Sequence, residues 1–393
     1  MSPRLTSRSP DLRRLLEEGY DVAVVGGLLV LRHVPYVAQD RSVRFGTLAS
    51  ELTLAGDVTT VPESHVVKWC GSEPCDREGR PLERVINGPV AETLADGTAV
   101  QWLFSSKPVG RPYADYHEKM TTYANAVSSP AHALDPQASA LTFPVTETSQ
   151  EDGSVFRYLD TASSRAGIEA VTARLEGQRV AIVGLGGTGS YILDLVAKTP
   201  VGEIHLFDGD RFLQHNAFRA PGAASLEDLQ GAPRKVDHFA AVYGRMRHGV
   251  VAHDGYVDAS NVEELRGMDF VFLSLDQGAA RRLLVEQLQE YGIAFVDVGM
   301  GVYESGGALA GLVRVTTSVP GQRHGHQGRI PFADGRADNE YATNIQIAEL
   351  NALNAALAVI KWKKTCGLFA DLEGERHSVY QIDGNVLSNE DHG

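Results

Sequence analysis

Hydrophobic and polar positions follow two different rhythms along this chain. In the first half, short β-branched runs such as Asp57–Pro62 (DVTTVP) and Val66–Trp69 (VVKW) are punctuated by turn formers such as Pro74–Pro81 (PCDREGRP). That pattern predicts a smaller, strand-biased α+β domain over residues 1–145. The run VAVVGGLLVL, Val22 to Leu31, carries Gly26-Gly27 at its centre and predicts two strands around a tight hairpin turn. A helix is predicted around Leu12 to Glu18. From about Ala126 the sequence turns small, polar and proline-containing, which predicts an interdomain connection ending near Ser154. The linker proper falls at 146–154, and a second domain occupies 155–393.

In the second half, apolar runs alternate with helical periodicity. TASSRAGIEAVTARLEG is helix-like, RVAIVGL reads as a buried strand, GGTGSYILDLVAKTP as a turn and helix, and EIHLFD as the next strand. Together they form a β-α-β unit. DFVFLSLD and AFVDVGMG are further strands separated by the helical RRLLVEQLQEYG, so the predicted fold class is α/β with a doubly wound, mostly parallel sheet. NIQIAELNALNAALAVIKWKK predicts a long helix, apolar on most sides, with a Lys-rich last turn before Gly367; it suits a sheet face or a subunit interface.

Composition narrows the functional classes. A formal net charge of -14 over 393 residues argues against a phosphate-backbone binder, so nucleic acid is not an expected partner. The longest apolar run has ten residues, where a membrane span needs about 20. Cys70, Cys75 and Cys366 are too few and too scattered for a disulfide framework, and the N-terminus lacks an apolar signal-type stretch. The chain reads as cytoplasmic.

The first chemical motif is Gly184-Leu185-Gly186-Gly187-Thr188-Gly189, a G-x-G-x-x-G that follows a strand and opens a helix. Glycines there let backbone amides approach phosphate, and Asp208, 19 residues after Gly189 at the next strand end, can accept from ribose hydroxyls. The motif alone does not separate an ATP site from a dehydrogenase or from a scaffold that has lost its ligand. Five further residues do: Asp210, then Asn216 and Arg219, eight and eleven residues after Asp208, then Lys235, then Asp276 at a strand end. Hydride transfer has no use for two cations around one nucleotide. Breaking the bond between α- and β-phosphate does: Arg219 and Lys235 would neutralise phosphate charge, and a strand-end carboxylate would hold Mg²⁺.

These residues and spacings resemble the ThiF, MoeB and ubiquitin-activating E1 superfamily. In that superfamily the glycine loop is followed by a strand ending in D-x-D, an N-x-x-R turn, a lysine, and an aspartate followed by an arginine. The resemblance covers roughly Ser154 to Lys364, with Arg281 as the last arginine. It implies that Asp208 contacts ribose, that Asn216, Arg219 and Lys235 contact the phosphates of ATP, and that Asp276 binds Mg²⁺. It also implies a homodimer, with an arginine contributed across the dimer at Arg165. Residue by residue, blander readings stand beside these: Arg165 as a solvated helix residue, Asp210 as a turn cap, Asp276 as the N-cap of a helix over 277–290.

By the same resemblance, the acid activated is the C-terminal carboxylate of a ubiquitin-like β-grasp protein, which attacks the α-phosphorus and releases pyrophosphate. As a whole the chain resembles a bacterial group in which an uncharacterised domain precedes a ThiF domain, found with E2-like partners and linked to phage defence. Two departures bear on the step after activation. The zinc-binding C-x-x-C pairs of many relatives are absent, which weakens a sulfur-carrier role. The segment SVPGQRHGHQGRIPFADGRADNEYATN, where thioester-forming relatives carry their nucleophile, has no cysteine. Either transfer runs straight from the adenylate to a partner, or the acceptor is an unusual group, Cys366 or a hydroxyl such as Thr343 or Tyr341, with His324 and His326 in range as bases. Cys366 equally reads as a packed apolar residue, the two histidines as solvated loop residues, and His65, Cys70 and Cys75 as packing residues whose spacing suits zinc poorly. The competing class is a non-catalytic scaffold that resembles the inactive half of an E1 heterodimer.

Overall fold

The computed structural model describes residues 5, 8–148, 150, 153–321, 328–332 and 345–389. Two compact units emerge: residues 1–148 with 158–164, and residues 149–157 with 165–393.

In the first unit, α1 (Pro10–Glu18) has proline in its first turn and ends at Gly19 in the left-handed conformation. Strands β1 (Asp21–Val25) and β2 (Leu28–Val37) pair antiparallel across Gly26 and Gly27, both with positive φ, so the hairpin lies where the glycine pair predicts it. β3 (Val43–Glu51), the small ribbon β4 (Leu54–Ala55) and β5 (Val58–Thr59), β6 (Val66–Cys70), β7 (Ile86–Thr93) and β8 (Ala99–Ser105) follow. The main sheet has the order β1-β2-β3-β6-β8-β7 and is antiparallel throughout.

Its core face is covered by α2 (Tyr116–Leu134), whose Met120, Tyr123 and Val127 bury against Leu31, Leu48, Trp69 and Phe104. The connection predicted from about Ala126 is therefore helix as far as Leu134, with Pro130 inside it. Burial of Val127 and Ala131 outweighs the hydrogen bond that proline cannot make.

The helix-like TASSRAGIEAVTARLEG, which begins in the first unit and ends in the second, is broken. α3 (Thr161–Ala166) stops at Gly167, which takes a positive φ, and a single turn, α4 (Glu169–Thr172), follows. From there the chain runs β9 (Arg179–Val183), α5 (Gly187–Ala197), β10 (Glu203–Asp208), α6 (Gln214–Ala217), α7 (Leu226–Gly231), α8 (Lys235–Tyr243), β11 (Val250–Asp254), β12 (Phe270–Leu273), α9 (Gly278–Tyr291), β13 (Ala294–Ser305), β14 (Ala308–Ser318), α10 (Ala348–Thr365), β15 (His377–Gln381) and β16 (Val386–Asn389).

The sheet order is β11-β10-β9-β12-β13-β14-β15-β16. The first five strands are parallel and the last three join antiparallel, giving an α/β fold with a mixed, mostly parallel sheet. Alternate strand residues feed two cores. Val180, Ile182, Ile204 and Leu206 pack under α5, α8 and α10, while Ala181, Val183, Phe207 and Leu273 pack under α9. No helix among the described residues is long and apolar enough to cross a membrane.

Candidate active site

The strand register builds the site. Val183 pairs with Phe207 on one side and with Leu273 on the other, so the residues that follow, Gly184, Asp208 and Ser274, emerge together at the carboxyl ends of three parallel strands. This is where strand order reverses, between β9 and β12, and where open parallel sheets leave a crevice. Gly184 has a φ of +91° and leaves no room for a side chain: a Cβ would lie 2.2 Å from Ser274 O. At Gly189 a Cβ would lie 1.9 Å from Gly184 O. The turn is therefore all backbone, and α5 opens from it with Gly186 at its N-cap and no side-chain cap on the first amides.

Asp208 is buried and ties the turn to the next loop. Its Oδ2 accepts from Leu185 N at 2.7 Å and its Oδ1 from Asp210 N at 2.8 Å. Lys235, the first residue of α8 and also buried, lies 3.4 Å from Asp208 and donates to Asp210 Oδ2 at 2.7 Å. Asp210 accepts a second hydrogen bond from the Tyr256 hydroxyl. Partial burial works against ionisation of Asp210, but the bonds from Lys235 and Tyr256 outweigh it and hold the carboxyl below its ordinary range. The same bond pushes the Tyr256 phenol up to about 12. A turn-capping role for Asp210 is not what its side chain performs.

Asn216, buried in α6, closes that short turn by accepting from Leu213 N at 2.9 Å, and its Nδ2 makes no hydrogen bond among the described residues. Arg219 follows, half-buried, with a buried Nε that has no partner among the described residues. Burial pushes its guanidinium down from the ordinary value, and the charges of Asp276 and Asp210 pull the other way. Asp276 is exposed in the loop between β12 and α9. The N-cap of α9 is Gln277, without a side-chain cap bond, so Asp276 does not serve that purpose.

Asp208, Asp210, Lys235, Arg219 and Asp276 thus share one electrostatic neighbourhood beside the glycine turn. Arg165 does not join them: it is exposed in the last turn of α3 and bonds to none of these residues among those described. Arg281 turns inward instead. It donates to Pro331 O at 2.9 Å and to Leu275 O, and its Nε lies 3.2 Å from Asp297 without hydrogen-bond alignment. Asp297 is fully buried between Arg281 and Arg314, the latter at 2.6 Å.

Two neighbours carry no motif of their own. Tyr256 lies two residues past Asp254, the partner of Asp208 across the sheet, and its ring stands where a side chain on Gly209 would reach. Asn351 of α10 accepts from Thr188 Oγ1 at 2.9 Å and fills the space a Cβ on Gly187 would take. Only the strand register and the apolar rhythm of α10, interrupted by Asn351 and Asn354, signalled them. Cys366 packs against the core with its thiol near Gln178, and burial pushes that thiol up, away from nucleophilic reactivity. Cys70 lies in an apolar cluster with its thiol pushed up to about 11 by burial. His324, His326, Tyr341 and Thr343 lie outside the described residues.

A glycine turn at a strand-order reversal, with strand-end carboxylates and two cations beyond it, makes up the candidate site of this α/β domain. Residues 161–324 match the ThiF family, and residues 10–161 match a domain of unknown function, DUF6791, so a ThiF-type segment follows an uncharacterised one along the chain. Among curated proteins it is similar to ubiquitin-like modifier-activating enzyme 5 of Aedes aegypti, 25% identical over 35% of this chain and 38% of that protein. The same enzyme of Branchiostoma floridae is 26% identical over 39% and 40%. The chain therefore spans well under half the length of either relative. Among solved structures it is similar to E. coli MccB, at 17% identity over 59% of this chain and 69% of that one, with a TM-score of 0.47. The structure of MccB with ATP matches over 58% and 67%, with 17% identity and a TM-score of 0.43.

Proposed function

We propose that this chain is an E1-like enzyme that uses ATP with Mg²⁺ to adenylate the C-terminal carboxylate of a ubiquitin-like β-grasp protein. The observation that carries the reading is Arg219: a half-buried guanidinium whose Nε has no partner among the described residues, set against Asp276 and Asp210 beside the glycine turn. Such a cation calls for an anion with several acceptor oxygens, and phosphate supplies one. The residues fit a nucleotide, since two glycines that exclude any side chain leave backbone amides to face phosphate.

In this reading Asp208 accepts from the ribose hydroxyls with lone pairs left over from Leu185 and Asp210. Asn216 Nδ2 and Arg219 hold phosphate oxygens, and Lys235 shares its charge between Asp210 and the phosphates. Asp276 would hold Mg²⁺, completed by phosphate oxygens and water, and the metal would neutralise charge on the departing pyrophosphate. The acting form is a homodimer in which Arg165 of a second copy completes the site. The activated protein then passes to an E2-like partner in a bacterial conjugation pathway, a setting suited to antiphage defence.

The test is ATP–pyrophosphate exchange with the purified chain and a β-grasp protein ending in Gly-Gly. Exchange that requires Mg²⁺ and is lost in Asp276→Ala is expected. Tight ATP binding with no exchange for any such protein would overturn adenylation in favour of a regulatory scaffold.

A further inference from the structure

The first unit carries a cavity of about 280 Å³, small enough for a terminal group or a small ligand. Its walls include Pro62, Pro108 and Pro112, whose fixed φ angles keep the loops from collapsing inward. Three basic side chains line it: His65, Lys107 and Arg111. The one carboxylate among the lining residues is Glu63, which is exposed. Arg111 is fixed by Glu118, at 2.8 Å, and so serves as wall. Lys107 is exposed and has no ion-pair partner among the described residues.

Behind Ser64 in the cavity wall sits a second cation, which feels the charge of Glu51 but has no carboxylate in contact among the described residues. Lys119 of α2 is 1% exposed, and among the described residues its Nζ donates only to neutral oxygens, Ser50 Oγ at 2.8 Å and Ser64 O at 2.7 Å. A buried ammonium without a carboxylate in contact is uncommon and costly. Here it adds positive potential beneath a concave surface, where low-dielectric walls concentrate it. His65, whose Nε2 lies 3.1 Å from Ser105 Oγ, feels both charges: burial, then Lys107, then Lys119 disfavour its protonation.

We propose that this cavity binds an oxyanion, a carboxylate or a phosphoryl group, between His65 and Lys107 and over the buried charge of Lys119. The site uses none of the residues of the glycine turn and gives the domain of unknown function a ligand-binding role. Such a group would bring negative charge into contact range of Lys107 and add to that of Glu51 near Lys119, and its oxygens would accept from Lys107 and the imidazole.

The experiment uses the full chain, with the imidazole resonance of His65 identified by its loss in His65→Gln. Sodium phosphate and sodium acetate are titrated separately, each against sodium chloride at matched ionic strength. The expected result is a saturable shift of the His65 signal that chloride does not produce, with apparent affinity falling about tenfold in Lys107→Gln. Saturation by phosphate alone assigns a phosphoryl ligand, by acetate alone a carboxylate, and by both an oxyanion of either kind; each supports the site. A His65 response no larger than with chloride, or a Lys107→Gln titration that matches the wild type, overturns it.

Discussion

At the scale of single residues, the two halves of the chain each hold a cation that folding alone does not explain. Arg219 spends burial on an Nε that nothing described accepts from. Replacing it should therefore cost little stability while removing charge from the site. Arg219→Met is expected to lower ATP–pyrophosphate exchange by about 10²-fold or more, with a thermal midpoint unchanged or slightly raised. A fall of several degrees in that midpoint would make Arg219 a structural residue.

Lys119 makes the opposite kind of statement, about pH. Burial pushes it down to about 8 from the ordinary 10.5, so between those values the unfolded chain holds a proton that the folded chain has released. Stability gains as pH rises through this window, and below it the fold bears the full cost of the buried charge. Denaturation of the wild type and of Lys119→Met at pH 7.5 and pH 10 isolates this contribution. The wild type is expected to gain on the variant at the higher pH, and a constant difference would refute the sign.

At the scale of elements, the glycine turn separates what the fold needs from what a ligand needs. A Cβ on Gly189 would collide with Gly184 O, whereas one on Gly186 would meet nothing within 4 Å, and φ at Gly186 is -69°, open to any residue. Gly189→Ala is expected to lose both stability and nucleotide binding. Gly186→Ala should keep the unfolding midpoint and lose ATP affinity alone, measured by calorimetry; unchanged affinity would place the phosphates elsewhere.

Much of this element was legible in the sequence, because strand, turn and helix signals coincide within a few residues: apolar RVAIV, then glycines, then GSYILDLVA. The next strand end was legible too, since Asp208 closes the run EIHLF. Less legible were features that depend on distant partners. Arg281 followed Asp276 at a spacing that fitted the site, yet Asp297, fully buried on the adjoining strand β13, draws it into the core with Arg314. That ion triad carries its own prediction. Asp297→Asn leaves two buried guanidiniums unpaired and should cost about 3–5 kcal/mol in chemical denaturation. Pro130 misled for a related reason, since the burial that holds its helix together is long-range.

At the scale of the whole molecule, the chain crosses between its two compact units more than once. Residues 149–157 belong with the second unit although 158–164 belong with the first. The reason lies in backbone pairing. His248 N donates to Val155 O at 2.8 Å, Arg157 N to Met246 O at 2.9 Å, and the Arg157 side chain to Gly244 O at 2.6 Å. This short segment covers the stretch after α8 where Arg247, 1% exposed, gives its guanidinium to the carbonyls of Thr199 and Val201. A buried guanidinium whose hydrogen bonds among the described residues all go to carbonyls is sensitive to water reaching it.

A boundary drawn by composition at the proline-rich stretch misses this arrangement, because small polar residues pair through their backbones as well as any others. A fragment beginning at residue 165 should therefore be less stable than one beginning at 149, although it retains every residue of the glycine turn and of α8. Urea denaturation of the two fragments checks this. A midpoint for the shorter fragment at least as high as for the longer would show that residues 149–157 ride on the second unit without supporting it.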